Sequence, residues 1–217
     1  MNLPNIILGG ICLDGLKEIP LPYKNYLKIH KNVYIKTGTI LCGDGFHFTR
    51  QDDDTLKFNA HHKGLVIGPN VWIGSNCTID RGRVKRSAVG GGTKIDNGVH
   101  ISHNVEIGRN CIIGTGAILL GSVKVGDNSE IWSNAIIHQH VKIGKNCVVG
   151  ANTYLRKDLE DNMCAYVSNR TGQLVIKHRS ETKKYSESNE KNLSKKREGG
   201  VSRKLSCLNG KCQNSTW

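Results

Sequence analysis

From residue 89 to residue 160 the chain divides into sixes without remainder, and every block opens on an aliphatic residue. The first positions are Val89, Ile95, Ile101, Ile107, Ile113, Leu119, Val125, Ile131, Ile137, Ile143, Val149 and Leu155. The fifth positions are small or β-branched: Thr93, Val99, Val105, Cys111, Ala117, Val123, Ser129, Ala135, Val141, Cys147 and Thr153. Glycine recurs at the second position. A period of six with one large and one small inward residue describes a short strand followed by a turn. Three such units close a triangular coil, and successive coils stack as parallel sheets, each lending its backbone groups to the next. Ile29, Ile35 and Leu41, then Ile67, Ile73 and Ile79, keep the same rhythm earlier in the chain. Together these blocks predict about six coils and a prism about 29 Å long at ~4.8 Å per coil.

Two segments break the rhythm. One is "GDGFHFTRQDDDTLKFNAHHKG" after Leu41, and the other is the short basic "GRVKRS" near residues 82–87. The expected organisation is a lead-in over 1–25, the β-helix over 26–160 with an insertion near 43–64, an exit strand and loop over 161–178, and a basic tail over 179–217. With 25 glycines, 4 prolines and 6% aromatics, the composition suits a turn-rich β structure. The net charge of +13 favours acidic partners, including coenzyme and nucleotide phosphates. Much of that excess follows Lys177, where a polar run predicts a solvated, disordered tail or one loose helix. No nucleic-acid module is recognisable in it, and no nucleic-acid partner is expected.

No segment reaches the length of a membrane span. The apolar "NIILGGICL" near the start lacks a basic region before it and a cleavage site, so it does not read as a signal peptide. The eight cysteines form no zinc pattern. Cys77, Cys111 and Cys147 fall at fifth positions and read as small core residues. A reducing cytoplasm is the expected compartment.

Residues eighteen apart stack on one another in such a prism. His103 is then placed beneath Gly121 and Gln139, and His140 above Ser122 and Asn104, about 10 Å apart along the axis. A lone surface histidine ordinarily has no task. His103 differs in having a polar block around it, with Asp96, His100 and Asn104 close in sequence, and a glycine directly above.

The sixfold pattern resembles that of the hexapeptide-repeat, left-handed β-helix acyltransferases. The more specific motifs "DGFHF" (44–48), "TIDRG" (78–82), "KIDNGVHISHNVEIG" (94–108) and the histidine at 140 resemble UDP-3-O-(3-hydroxyacyl)glucosamine N-acyltransferases of lipid A synthesis. The likeness covers residues of about 29–160. It implies a left-handed, all-β homotrimer with sites between neighbouring subunits. It also implies His103 as catalytic base, Asp96 as the acid seven residues earlier, His140 as a second functional histidine and the Gly121 N–H as oxyanion donor. Asp44, Phe46, Phe48, Asn104 and His100 are the expected substrate-binding residues. The chemistry suits these residue types: an amine loses a proton as it attacks a thioester, a histidine can accept that proton at neutral pH, and a fixed N–H can meet the oxyanion. No metal and no permanently bound cofactor is required.

The sequence departs from those enzymes in two places. Only about 25 residues precede the coils, where the family has a uridine-binding domain. Near the last full coil stands "GANTYLRKD", with Asn152, Tyr154, Arg156 and Lys157 as candidate donor-binding residues. An arginine at the end of a long acyl groove would be costly to desolvate. The expected reaction is therefore transfer of a short acyl group, acetyl from acetyl-coenzyme A, to a nucleotide-linked amino sugar. The alternatives are long-chain transfer from acyl carrier protein, a γ-carbonic-anhydrase-like zinc enzyme using His103, His138 and His140, and a non-catalytic trimeric scaffold.

Overall fold

The computed structural model describes residues 25–181 and the backbone of two short strands, Ile7–Leu8 and Ile11–Cys12. The expected tail from 182 onward, and the rest of the lead-in, lie outside the described residues.

The repeat becomes a β-solenoid. Its strands are mostly two residues long and form three parallel sheets. The first sheet contains Ile40–Gly43, Thr78–Asp80, His100–Ile101, Ile118–Leu119, Ile136–Ile137 and Tyr154–Leu155, with Ile7–Leu8 and Ile11–Cys12 at one edge. The second runs from Leu27–Ile29 through Leu65–Ile67, Ser87–Val89, Glu106–Ile107 and Lys124–Val125 to Lys142–Ile143. The third runs from Tyr34–Ile35 to Val148–Val149 and closes with Met163–Val167 and the antiparallel Leu174–His178. Registers follow the eighteen-residue offset: Ile101 lies beside Leu119, and Leu119 beside Ile137.

Every first-position residue from Val89 to Leu155 is buried, and so is every fifth-position residue from Thr93 to Thr153. The six-residue rule therefore reports the inside of the prism directly. Large aliphatic side chains fill it, and small ones let the corner close. Cys77, Cys111 and Cys147 are buried free thiols in that core. Burial pushes each of these thiols above its ordinary pKa. Thr93 and Ser129, two polar fifth-position residues, satisfy their hydroxyls on the carbonyls of Gly108 and Gly144 in the next coil.

From Gly92 to Asn152 each turn is made by the fourth residue of a block in the left-handed backbone region. Two of the three corner columns use only glycine and asparagine there: Gly92, Asn110, Asn128 and Asn146 in one, and Gly98, Gly116, Asn134 and Asn152 in the other. Those residue types meet the least steric resistance at positive φ. The third column, between the first and second sheets, instead reads Asn104, Ser122 and His140, with φ of 60°, 65° and 66°. Both interruptions of the repeat open from that same corner. The insertion joins Ile40–Gly43 to Leu65–Ile67, and the basic turn joins Thr78–Asp80 to Ser87–Val89.

Candidate active site

The irregular corner gathers much of the polar chemistry singled out in the sequence. His103 lies against Gly121 of the next coil. A methyl group built at Gly121 would stand 2.8 Å from Cε1 and 3.0 Å from Nε2 of His103, so only glycine leaves the ring its present place. The Gly121 carbonyl accepts the His140 N–H, while its own N–H has no partner among the described residues. It is a bare donor beside an imidazole. By the same offset, Gln139 and Lys157 follow Gly121 up the corner.

Asn104 fixes the ring from the other side. Its side chain is buried under the 83–85 turn. Its Oδ1 accepts the N–H groups of Arg83, Val84 and Lys85 at 2.8, 3.0 and 3.3 Å. With the oxygen so engaged, the amide NH₂ must face His103, and it donates to Nδ1 at 3.0 Å. A neutral His103 therefore carries its proton on Nε2. Burial holds the pKa of His103 below the ordinary histidine range, and the neighbouring charges of His61, Arg83, His47 and His140 add to that.

The insertion packs over this ring. It forms a hairpin of Phe48–Arg50 and Leu56–Phe58 in antiparallel register, Phe48 opposite Phe58. Its base is pinned by Arg81. That guanidinium donates to the carboxylate of Asp44 at 2.6 Å, the carbonyl of His61 at 2.6 Å and that of Cys42 at 3.1 Å. Asp44 also accepts the His61 N–H. His61 is fully buried and meets His103 edge-on, with ring centroids 5.0 Å apart. His47 follows at 6.4 Å from His61. Neither His47 nor His61 stands out in the sequence. A loop's packing has no period, and only the density of histidines around "FHF" and "AHHKG" could draw attention to them.

A buried carboxyl is equally unmarked by spacing. Asp80, in "TIDRG", has its pKa pushed up to about 7 by burial and by the nearby Asp44 charge, against the opposing pull of Arg81.

Other expected site residues lie elsewhere. Asp96 sits at the corner between the third and first sheets. Its carboxylate accepts from the Thr115 hydroxyl and the Asn97 N–H, and the first of these bonds does most to hold its pKa down. Within one chain it is not brought to His103. His100 points outward from the first sheet, between the hydroxyls of Thr78 and Ser102 at 2.7 and 2.9 Å. Phe46 and Phe48 are exposed on the insertion, 5.0 Å apart between ring centres, and Phe48 touches Phe58. Asn152 is a turn residue at the Asp96 corner, Tyr154 is half-exposed beside His138, and Arg156 and Lys157 are exposed. Among the described residues of one chain no group of three histidine, cysteine or carboxylate side chains is arranged to hold a metal ion.

Residues 87–121 and 122–157 match the family described as bacterial transferase hexapeptide (six repeats). That stretch of the chain carries hexapeptide repeats. Over 79 residues it is 42% identical to a UDP-3-O-acylglucosamine N-acyltransferase of Pseudomonas syringae pv. tomato, which covers 36% of this chain and 22% of that enzyme. Over 73 residues it is 45% identical to the enzyme of the same name from Saccharophagus degradans, covering 34% and 21%. The chain thus spans about a fifth of the length of these curated relatives. The crystal structure of UDP-N-acetylglucosamine O-acyltransferase from Moraxella catarrhalis RH4 has the same fold, with a TM-score of 0.63 at 21% identity over 74% of this chain and 60% of that one. The expected resemblance to hexapeptide-repeat acyltransferases is therefore found.

Proposed function

We propose that this chain is an N-acyltransferase that moves a short acyl group from a coenzyme A thioester to the amine of a nucleotide-linked amino sugar. The observation that carries this reading is the stacking of the His103 ring against the bare N–H of Gly121. The amine nitrogen attacks the thioester carbonyl, the carbonyl π electrons move onto oxygen, and the Gly121 N–H receives that oxyanion. Collapse re-forms the carbonyl and breaks the carbon–sulfur bond. The amine proton passes to His103 and then to the departing thiolate, giving amide and free thiol. Because Asn104 holds the ring proton on Nε2, base action at that nitrogen requires the proton to move to Nδ1. The Asn104 oxygen accepts an Nδ1–H only if the amide turns and gives up the N–H groups of the 83–85 turn. His140, one further coil up, and Asp96 of a neighbouring subunit complete the proposed constellation in a left-handed homotrimer.

The relatives' names support the acceptor class, an amine on a UDP sugar. Exposed Arg156 and Lys157 support a donor with phosphates. A second reading, long-chain transfer from acyl carrier protein, is favoured by the exposed aromatic cluster of Phe46, Phe48 and Phe58. Mass spectrometry of products from UDP- and dTDP-amino sugars, incubated with acetyl-coenzyme A or with acyl carrier donors, tests both. An acetylated product that His103→Ala no longer forms, while its circular dichroism stays unchanged, is the expected result. Transfer only from long-chain carriers would overturn the short-chain donor, and no product from any pair would overturn the enzymatic reading.

A further inference from the structure

His47 and His61 each hold a buried ring nitrogen without a partner, Nδ1 of His47 and Nε2 of His61. The opposite nitrogen of each ring shows what those atoms are. His61 Nδ1 accepts the Gly45 N–H at 3.1 Å, so the neutral ring carries its proton on Nε2. His47 Nε2 faces a guanidinium nitrogen of Arg83 at 3.4 Å, and a guanidinium can only donate, so the His47 proton is on Nδ1. Both orphans are therefore donors, and burial of His61 pulls its pKa below the ordinary histidine range. Two N–H groups without acceptors lie near the two ends of the insertion, His47 next to Arg83 and His61 next to the His103 ring.

The surrounding charge has the same sense. The turn after Gly82 contributes Arg83, Lys85 and Arg86, with Lys85 paired to Glu106. The carboxylate at the base of the insertion, Asp44, is already engaged by Arg81 and the His61 N–H. What the cluster lacks is an oxygen acceptor carrying negative charge. We infer that His47, His61 and Arg83 form a diphosphate subsite beside His103, which holds the phosphoryl groups of the acceptor. Arg83 offers a planar pair of donors to two phosphoryl oxygens, and the two imidazoles add N–H donors. Entry requires the segment 45–47 to shift, because both orphan nitrogens are closed to solvent. That segment already projects Phe46 almost wholly into water. The identity of the ligand rests on the acyltransferase reading; the anion site itself does not.

The test is calorimetric titration of the full chain with inorganic pyrophosphate at low salt, in wild type, His47→Phe, Arg83→Met and His61→Phe. Phenylalanine keeps the ring volume and removes the orphan donor. Binding at least tenfold weaker in His47→Phe and Arg83→Met is expected, with a matching rise in KM for the nucleotide sugar and little change in kcat. Should His61→Phe fail to fold for want of the Gly45 bond, the other two variants carry the test. Equal binding by every variant, as an ion on the basic tail alone would give, overturns the site, and so does absence of binding to wild type. Pyrophosphate binding that depends on His47 and Arg83 in a protein that transfers no acyl group would leave this site standing while removing the enzymatic reading.

Discussion

At His103 the hydrogen bonds decide which nitrogen is available for chemistry. Asn104 cannot offer its oxygen to the ring while three backbone N–H groups of the 83–85 turn occupy it. Asn104→Asp places a second carboxylate oxygen where the NH₂ now stands. That oxygen would accept an Nδ1–H, free Nε2 as a base and stabilise the imidazolium. Turnover by wild type should rise with pH around a midpoint below the ordinary histidine range, since burial and cationic neighbours favour the neutral ring. In Asn104→Asp the midpoint should move up, and a pH profile of kcat/KM measures it. Asp80 has a separate consequence for stability. Its pKa is raised to about 7, so the folded protein keeps a proton that the unfolded chain gives up. Stability should therefore fall as pH climbs from the ordinary carboxylate range towards 7 and level off above it, by up to about 1.4 kcal/mol per pH unit. Thermal melts of Asp80→Asn across pH 4 to pH 8 should lack that part of the decline.

At the scale of the element, one six-residue unit serves two purposes. Its first and fifth residues build the core, and its third and fourth residues furnish the corner. The core task tolerates little change: Ile131→Ala, at a fully buried side chain, should cost about 2–5 kcal/mol by denaturant titration. The corner task can fail without harm to the fold. Gly121→Ala adds a methyl that collides mainly with the movable edge of the His103 ring. It should cut kcat by about 10²-fold or more by pushing the His103 ring out of line with that N–H, while shifting the melting temperature little. This division explains what the sequence makes legible. Inward residues repeat, so coil length, strand positions and the burial of Cys77, Cys111 and Cys147 can be read from spacing alone. The pairing of His103 with Gly121 follows from the same arithmetic. The packing of His61 on His103 does not, because the insertion has no period and its path depends on Arg81 reaching three separate groups. Nor does spacing show that the 83–85 turn buries Asn104. Yet a sequence signal exists: the fourth-position column of Asn104, Ser122 and His140 departs from the glycine and asparagine used at the other two corners.

At the scale of the whole molecule, the separation of Asp96 from His103 becomes decisive. They occupy different corners of one solenoid, and the Asp96 carboxylate directs its hydrogen bonds to Thr115 and Asn97. Beside it a shallow apolar groove runs between Trp72, Ile112 and Trp132, floored by Gly114. Exposed indole and aliphatic surface next to a carboxylate is suited to burial against another copy of the chain. If a threefold assembly presents the Asp96 corner of one subunit to the His103 corner of the next, each site draws one residue from each of two chains. Asp96→Asn and His103→Ala would then be inactive alone but complementary together. Random mixing of the two through unfolding and refolding should restore about a quarter of the wild-type activity, since half the subunits bring an intact histidine and half of their neighbours an intact acid. Mixed trimers with no activity would place both residues in one chain's own chemistry, and Asp96→Asn active by itself would place the acid outside it. Sedimentation equilibrium of the same mixtures checks that trimers have formed.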